Sequence, residues 1–326
     1  MSLGRLGLVQ AGQPSKKCPT LAEMTADATA TAADIVEGKT AYARGEKLTG
    51  TLVPVTKIDV AVEGIKFGYS TFEEVPEVFD LSNVTDLSYM FAHSRIQTFT
   101  NINFGNIVFS DLAFSTCQYL SAEIDIEAPL LTGSASQMFQ YSPKIKTIKK
   151  FIADNLINAS MIFIAMNVVD IGVISLKKAT NLTSLFSNNS KIISYPKILV
   201  PNAQICVSVF SGNISMQSLE YWDFSNVTNA VNMFKGCSAL SSIGDIIFLH
   251  TALSLADSPN IDEDTLRRFG GFANAAGESG VAPLKALGLP SATLTFNTAA
   301  QTYLETEGII AKLTDENWTV NFADSM

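Results

Sequence analysis

Asp80-Leu-Ser-Asn-Val-Thr-Asp-Leu-Ser-Tyr-Met-Phe91 and Asp223-Phe-Ser-Asn-Val-Thr-Asn-Ala-Val-Asn-Met-Phe234 are near-copies of one another, far apart in the chain. The closing phenylalanine recurs between them at Phe114, Phe139, Phe163, Phe186 and Phe210, so successive anchors lie 23, 25, 24, 23, 24 and 24 residues apart. So even a spacing, within the roughly 20 to 29 residues of a small repeating unit, marks seven copies of one supersecondary element.

Each copy has two halves. The half ending in the anchor, as in Val84 to Phe91 and Val227 to Phe234, reads as a short helix with a polar outer side. In the half after the anchor, apolar residues follow at steps of about three: Ile96, Phe99, Ile102; Ile145, Ile148, Phe151; Val168, Ile171, Ile174; Ile192, Tyr195, Ile198; Met216, Leu219, Trp222; Leu240, Ile243, Ile246. The copy after Phe114 shifts to Leu120, Ile124, Ile126. This half mixes a turn with a short strand. A unit so small cannot bury its own apolar face, so neighbours must stack and share one elongated core. The expected class is an α/β repeat, a leucine-rich-repeat-like solenoid of about seven 24-residue coils with a small N-terminal ornament and an α+β C-terminal cap.

Three residues after each anchor comes a small or adaptable side chain: Ser94, Cys117, Ser142, Met166, Asn189, Asn213 and Cys237. A residue at the same corner of every copy faces inward, where a hydroxyl, thiol or amide can bond turn backbone. Cys117 and Cys237 therefore read as ladder positions rather than reactive thiols. The four cysteines, Cys18 and Cys206 included, lack paired metal spacing and the density of a disulfide framework.

The Asp80–Phe91 and Asp223–Phe234 runs, the latter followed by Lys-Gly-Cys237-Ser-Ala-Leu240, resemble BspA-type leucine-rich repeats. The resemblance is strong in the first and last copies and degenerate between them. It implies a repeat fold of the kind found in bacterial surface proteins and phage virion proteins, and says far less about function. A second resemblance lies upstream, in Thr25-Ala-Asp-Ala-Thr-Ala-Thr-Ala-Ala-Asp-Ile-Val-Glu-Gly-Lys-Thr-Ala-Tyr-Ala-Arg-Gly-Glu-Lys-Leu-Thr-Gly-Thr-Leu52. This run is similar to a motif near the start of, or between domains in, many phage tail and fibre proteins. Read from its residues, Thr31 caps a helix over Ala32 to Glu37 that stops at Gly38, and Gly45 turns a hairpin between Thr40–Tyr42 and Lys47–Thr49. Gly38-Lys39-Thr40 imitates the end of a phosphate-binding loop, but Ala33 stands where that loop needs its first glycine.

The chain divides into five segments. Residues 1–19 form a flexible arm or docking segment, 20–56 the phage-tail-type motif and 57–79 an N-terminal cap or linker, in which Ile58, Val60, Val62 and Ile65, Phe67, Tyr69 alternate as two short strands about Gly64. Residues 80–256 are the repeats, and 257–326 a C-terminal cap with a helix over Asp262–Phe269, a strand over Ala292–Phe296, a helix over Ala299–Glu305, and a turn and strand from Ala311 to Phe322.

Composition sets limits on function. With 47% hydrophobic and 16% charged residues, the 326-residue chain is packed rather than disordered. A net charge of -9 argues against a general nucleic-acid binder, and no apolar run reaches the length of a membrane span. No secretory signal is legible at Met1–Gln10. His93 and His250 are the only histidines, too few for a histidine-based acid, base or metal site, and no catalytic, cofactor or metal residues are assigned. Asp125 with Glu127, and Asp262 to Asp264, read as solvated faces or helix starts; the Asn-x-Ser/Thr triplets at Asn83 and Asn226 belong to the repeat. The expected function is a non-enzymatic virion component, a tail, fibre or other appendage protein that docks through its N-terminal region. Its partners are other virion proteins and a host surface glycan or protein, with homo-oligomers, trimers among them, in keeping with fibres. It is assembled in the host cytoplasm and located in the virion. A bacterial surface adhesin is the alternative, and a depolymerase working through surface carboxylates a third reading.

Overall fold

The computed structural model describes residues 35–43, 46–52, 57–99, 102–273 and 279–324. It is mainly β, built from small parallel sheets joined by turns, with a few short helices. This corrects the expected α/β class with its leucine-rich-repeat-like solenoid, because the half of each unit that ends in the anchor holds no helix. Val84–Phe91 and Val227–Phe234 are turn and irregular backbone.

The reason lies in where the amides bond. Leu87, Tyr89, Phe91 and His93 donate to the carbonyls of Phe109, Asp111, Ala113 and Ser115 in the next unit at 2.8 to 2.9 Å, while Met90 and Ser94 donate three residues back, to Leu87 and Phe91. Alternate amides thus point out of the unit, which a helix forbids. The geometry needs a left-handed residue at two places per unit, two before and two after the anchor. Tyr89 and His93, Gln137 and Tyr141, Met161 and Ala165, and Ser184 and Asn188 all have φ between 53° and 60°; only the last two units use glycine, Gly212 and Gly236, for the second place. Left-handed backbone costs a residue with a side chain about 1 kcal/mol, so bonding between units must outweigh it.

The half after the anchor supplies the strands. Ile58–Asp59 (β3) pairs with Phe79–Asp80 (β4) and Gly133–Ser134 (β6) with Leu156–Asn158 (β8), while Ile124–Glu127 (β5), Thr147–Ile152 (β7), Asp170–Ser175 (β9) and Ile198–Leu199 (β11) form one parallel sheet, and Ser194–Tyr195 (β10), Ser218–Asp223 (β12) and Ser242–Ile247 (β13) another. Equivalent residues pair, Ile148 with Ile171, Phe151 with Ile174, Leu219 with Ile243 and Trp222 with Ile246. The steps of three reflect buried positions three apart in β7 and β12, rather than the simple alternation of a flat strand. In the shifted copy Ile124 and Ile126 face Ile148 and Phe151, with an irregularity in register opposite Lys149.

All seven anchor rings are buried and stacked face to face, with centroids 5.2 to 6.1 Å apart and planes within 12° of parallel. Phe151, Tyr195 and Trp222 meet this column edge-on. The column begins one unit earlier than the sequence reading placed it. Phe67, 24 residues before Phe91, stacks on it at 5.4 Å, and buried Ser70 stands where Ser94 stands one unit later. Val60 and Val62, expected in a strand, lie instead in the helical turn Val60–Glu63 (α1): Asp59 accepts from the amides of Ala61 and Val62, and Gly64 closes the turn at φ 62°.

Ile35–Ala43 (β1) and Glu46–Leu52 (β2) form an antiparallel hairpin with Thr40 opposite Thr49 and Tyr42 opposite Lys47. Strand structure from Ile35 replaces the helix expected to end at Glu37; residues 1–34, the Thr31 cap and the Gly45 turn lie outside the described residues. After the repeats, Leu253–Leu255 (β14), Ala292–Phe296 (β15) and Trp318–Phe322 (β16) make a parallel sheet, and the same stretch of chain holds the short helices Glu263–Phe269 (α2), Leu284–Leu287 (α3) and Gln301–Thr306 (α4). Ile309–Asp315 (α5) is a helix where a turn was expected, since its buried Ile309 and Leu313, four apart, form a helical stripe.

Replacing Ala165 (φ 53°) by glycine tests the turn geometry. In a helix the change costs about 1 kcal/mol. Here Ala165→Gly is expected to leave the urea-denaturation free energy unchanged or to raise it by up to about 1 kcal/mol.

Candidate functional site

The ladder positions are buried and joined from unit to unit. The Cys117 thiol donates to the Phe91 carbonyl at 3.0 Å and lies 3.6 Å from the Ser94 hydroxyl; Ser142 donates to the Phe114 carbonyl at 2.8 Å and accepts from the Cys117 amide at 3.1 Å. Asn189 donates to the carbonyls of Phe163 (2.6 Å) and Phe186 (2.9 Å) and accepts from the Met166 amide, while Asn213 accepts from the Asn189 amide at 2.6 Å and donates to the Tyr195 hydroxyl. Cys237 donates to the Phe210 carbonyl at 3.1 Å. Cys117, Ser142, Asn189 and Cys237 therefore satisfy backbone carbonyls that the stacked phenylalanines seal from water, where an unpaired group costs about 1–3 kcal/mol.

A second asparagine row escaped the sequence reading, although its spacing is visible once the anchors are aligned. Asn106, Asn155, Asn202 and Asn226, each eight residues before an anchor, donate to the carbonyls of Ser82, Pro129, Lys177 and Pro201 at 2.7 to 3.1 Å. Asn83 occupies the same position and donates to Asp59. The amides of Asn83 and Asn226, each in an Asn-x-Ser/Thr triplet, are thus engaged in bonds to neighbouring segments.

Burial pushes the Cys117 thiol up to about 11 and the Cys206 and Cys237 thiols up to about 12, so all three stay protonated at neutral pH. Cys18 lies outside the described residues. His93 is exposed and stacks flat on Tyr69 at 4.7 Å, whereas half-buried His250 contacts its own turn through the Phe248 carbonyl. Asp125 and Glu127 pair with Lys149 and Lys150 on the exposed strand face at 2.7 to 3.3 Å, and Asp262 caps α2 through the Thr265 amide. No group of three His, Cys, Asp or Glu that could hold a metal ion occurs among the described residues. Nor is any helix among them long and apolar enough to cross a membrane.

A cleft of about 710 Å³ opens between the last repeat and the C-terminal sheet and is lined by Ile214, Asn232, Lys235, Ser238, Asp257 and Asp324. Its two carboxylates are already committed: Asp257 accepts from the Gly236 amide at 2.6 Å, and Asp324 from Thr298. What remains outward-facing is a set of parallel rows, one residue per unit, of tyrosine, lysine, asparagine, serine and single aliphatic side chains. The sequence-assigned anchors and ladder residues are thus brought together in the interior, and the surface available to another molecule lies elsewhere.

Residues 134–246 fit the family model described as Mycoplasma protein of unknown function, DUF285. No curated protein and no solved structure matches the chain.

Two measurements check the ladder. Asn189→Ala strands two carbonyls and the Met166 amide in the core, so it is expected to lower the urea-denaturation free energy by about 2–4 kcal/mol, with Asn260→Ala as the exposed control. In peptide-mapped alkylation at pH 8, Cys117, Cys206 and Cys237 should react at least about 100-fold more slowly in the native chain than in urea.

Proposed function

We propose that the chain is a non-enzymatic structural component of a bacteriophage virion, a tail, fibre or other appendage protein, whose repeats present a surface for assembly or host attachment. The observation that carries this reading is the commitment of the recurring polar side chains to bonds between units, from Cys117 through Asn213 to Cys237. Interior chemistry goes into holding the units in register, and variation is left to the outward rows. Such a surface offers many weak contacts along one direction, which multiply through valency. The resemblance of Thr25–Leu52 to phage tail and fibre motifs supports docking through the N-terminal region onto other virion proteins, in a homo-oligomer.

A bacterial surface adhesin is the second reading, favoured by the match of residues 134–246 to a family of Mycoplasma proteins. Immunogold electron microscopy with antibody against the repeats separates the two. Label on purified phage particles is expected; label on cells and never on particles would assign the chain to the bacterial surface.

A further inference from the structure

The ion pairs among the described residues engage Lys66, Lys149, Lys150, Lys177 and Arg267. Arg95, Lys144, Lys146 and Lys191 stand outside them, all exposed, on a chain of net charge -9. Three of these four share one place in the repeat. Arg95, Tyr119, Lys144, Asn167 and Lys191 each immediately precede the buried aliphatic of their unit: Ile96, Leu120, Ile145, Val168 and Ile192. The row therefore alternates cation, spacer, cation, spacer, cation across five successive units. Contacts fix the alternation. The Arg95 guanidinium lies 4.8 Å and the Lys144 ammonium 5.4 Å from the centre of the Tyr119 ring, so both cations are held by the spacer between them. Lys146 sits two residues beyond Lys144, its ammonium on the Pro143 carbonyl. Burial first, and then the charges of Lys191 and Lys144, hold its pKa below the ordinary lysine value, so the three ammoniums share one local field.

Adjacent parallel strands lie about 4.8 Å apart, so cations in every second unit recur at about 10 Å. We propose that this row is a binding stripe for an anionic glycan carrying one carboxylate per disaccharide, running along the stacking direction. Two sugar rings in extended linkage cover that same length, which sets successive carboxylates against Arg95, Lys144 and Lys191. Exposed Val169 and Ile193, two residues past Asn167 and Lys191, offer apolar surface to the sugar faces. Competing polyanions are out of step: a nucleic-acid strand carries a charge every 3.4 Å or so, and an extended acidic peptide repeats its faces at about 7 Å. Glu73 begins the neighbouring row, its backbone carbonyl accepting from the Gln97 amide at 2.7 Å. The inference deepens the host-attachment side of the proposed function and rests on it for where the glycan is met. Binding in solution is independent of particle labelling, so the two readings can fail separately.

Isothermal titration of the full chain with a hyaluronan decasaccharide, alternating glucuronate and N-acetylglucosamine, tests the stripe. Binding that weakens with added salt is expected, with none to the carboxyl-reduced decasaccharide. Arg95→Ser/Lys144→Ser/Lys191→Ser should weaken it by about tenfold or more, since three exposed charge contacts of a few-fold each multiply. Lys191→Glu, at a residue outside the Tyr119 contact, should weaken it several-fold, and Lys149→Ser/Lys150→Ser should leave it unchanged, all with unaltered thermal melts. No binding by the native chain, equal binding of the carboxyl-reduced sugar, an undiminished triple variant, or tighter binding of duplex DNA of equal length would overturn the proposal.

Discussion

Everything in the repeat region depends on backbone amides finding their acceptors about 24 residues away. In each unit alternate N–H groups leave the local turn and bond the next unit's carbonyls, as Phe91 does to Ala113 and Phe163 to Leu185. Once this exchange is in place, the register of every side chain is fixed. Phenylalanine must lie over phenylalanine, and the corner three residues on faces inward, where Cys117, Ser142, Asn189 and Cys237 reach the previous anchor's carbonyl. The tolerance of that corner for cysteine, serine and asparagine follows from the same demand. Each can donate to an oxygen, and each is small enough for a space bounded by aromatic rings.

The same constraint explains what the interior is unsuited to do. A thiol pushed to about 12 by burial, bonded to a carbonyl and walled in by rings is poor as a nucleophile. Polarity in this core is spread along the units rather than gathered into a centre, with the inward corners bonded from unit to unit. Such a core gives regularity along one axis. Outward rows inherit that regularity, so a residue type chosen at one position, like the cations of Arg95, Lys144 and Lys191, becomes a periodic array without further machinery.

The structure departs from the sequence reading where local pattern and non-local bonding disagree. Residues such as Leu112, Met161 and Ala165 carry no turn signal and are ordinary helix formers, yet each occupies left-handed backbone. Without glycine, asparagine or proline to mark them, these turns read as helix. Phe67 and Ser70 went unrecognised as an eighth layer because the residues between them and Phe91 carry only part of the repeat, although the spacing of 24 was there to be counted. The helix at Ile309–Asp315 was hidden by its short, half-polar surface, on which only Ile309 and Leu313 are buried.

The sequence by itself determined the period, the aromatic column and the inward corner, because a spacing near 24 with phenylalanine at one phase leaves a single register in which apolar faces are shared. It also determined that Cys117 and Cys237 belong to that corner. Only the tertiary structure decided that the half ending in the anchor is turn rather than helix, and that the class is mainly β, since the deciding bonds run between residues of different units. It alone placed Tyr119 between two cations from neighbouring units, a contact that no local pattern encodes.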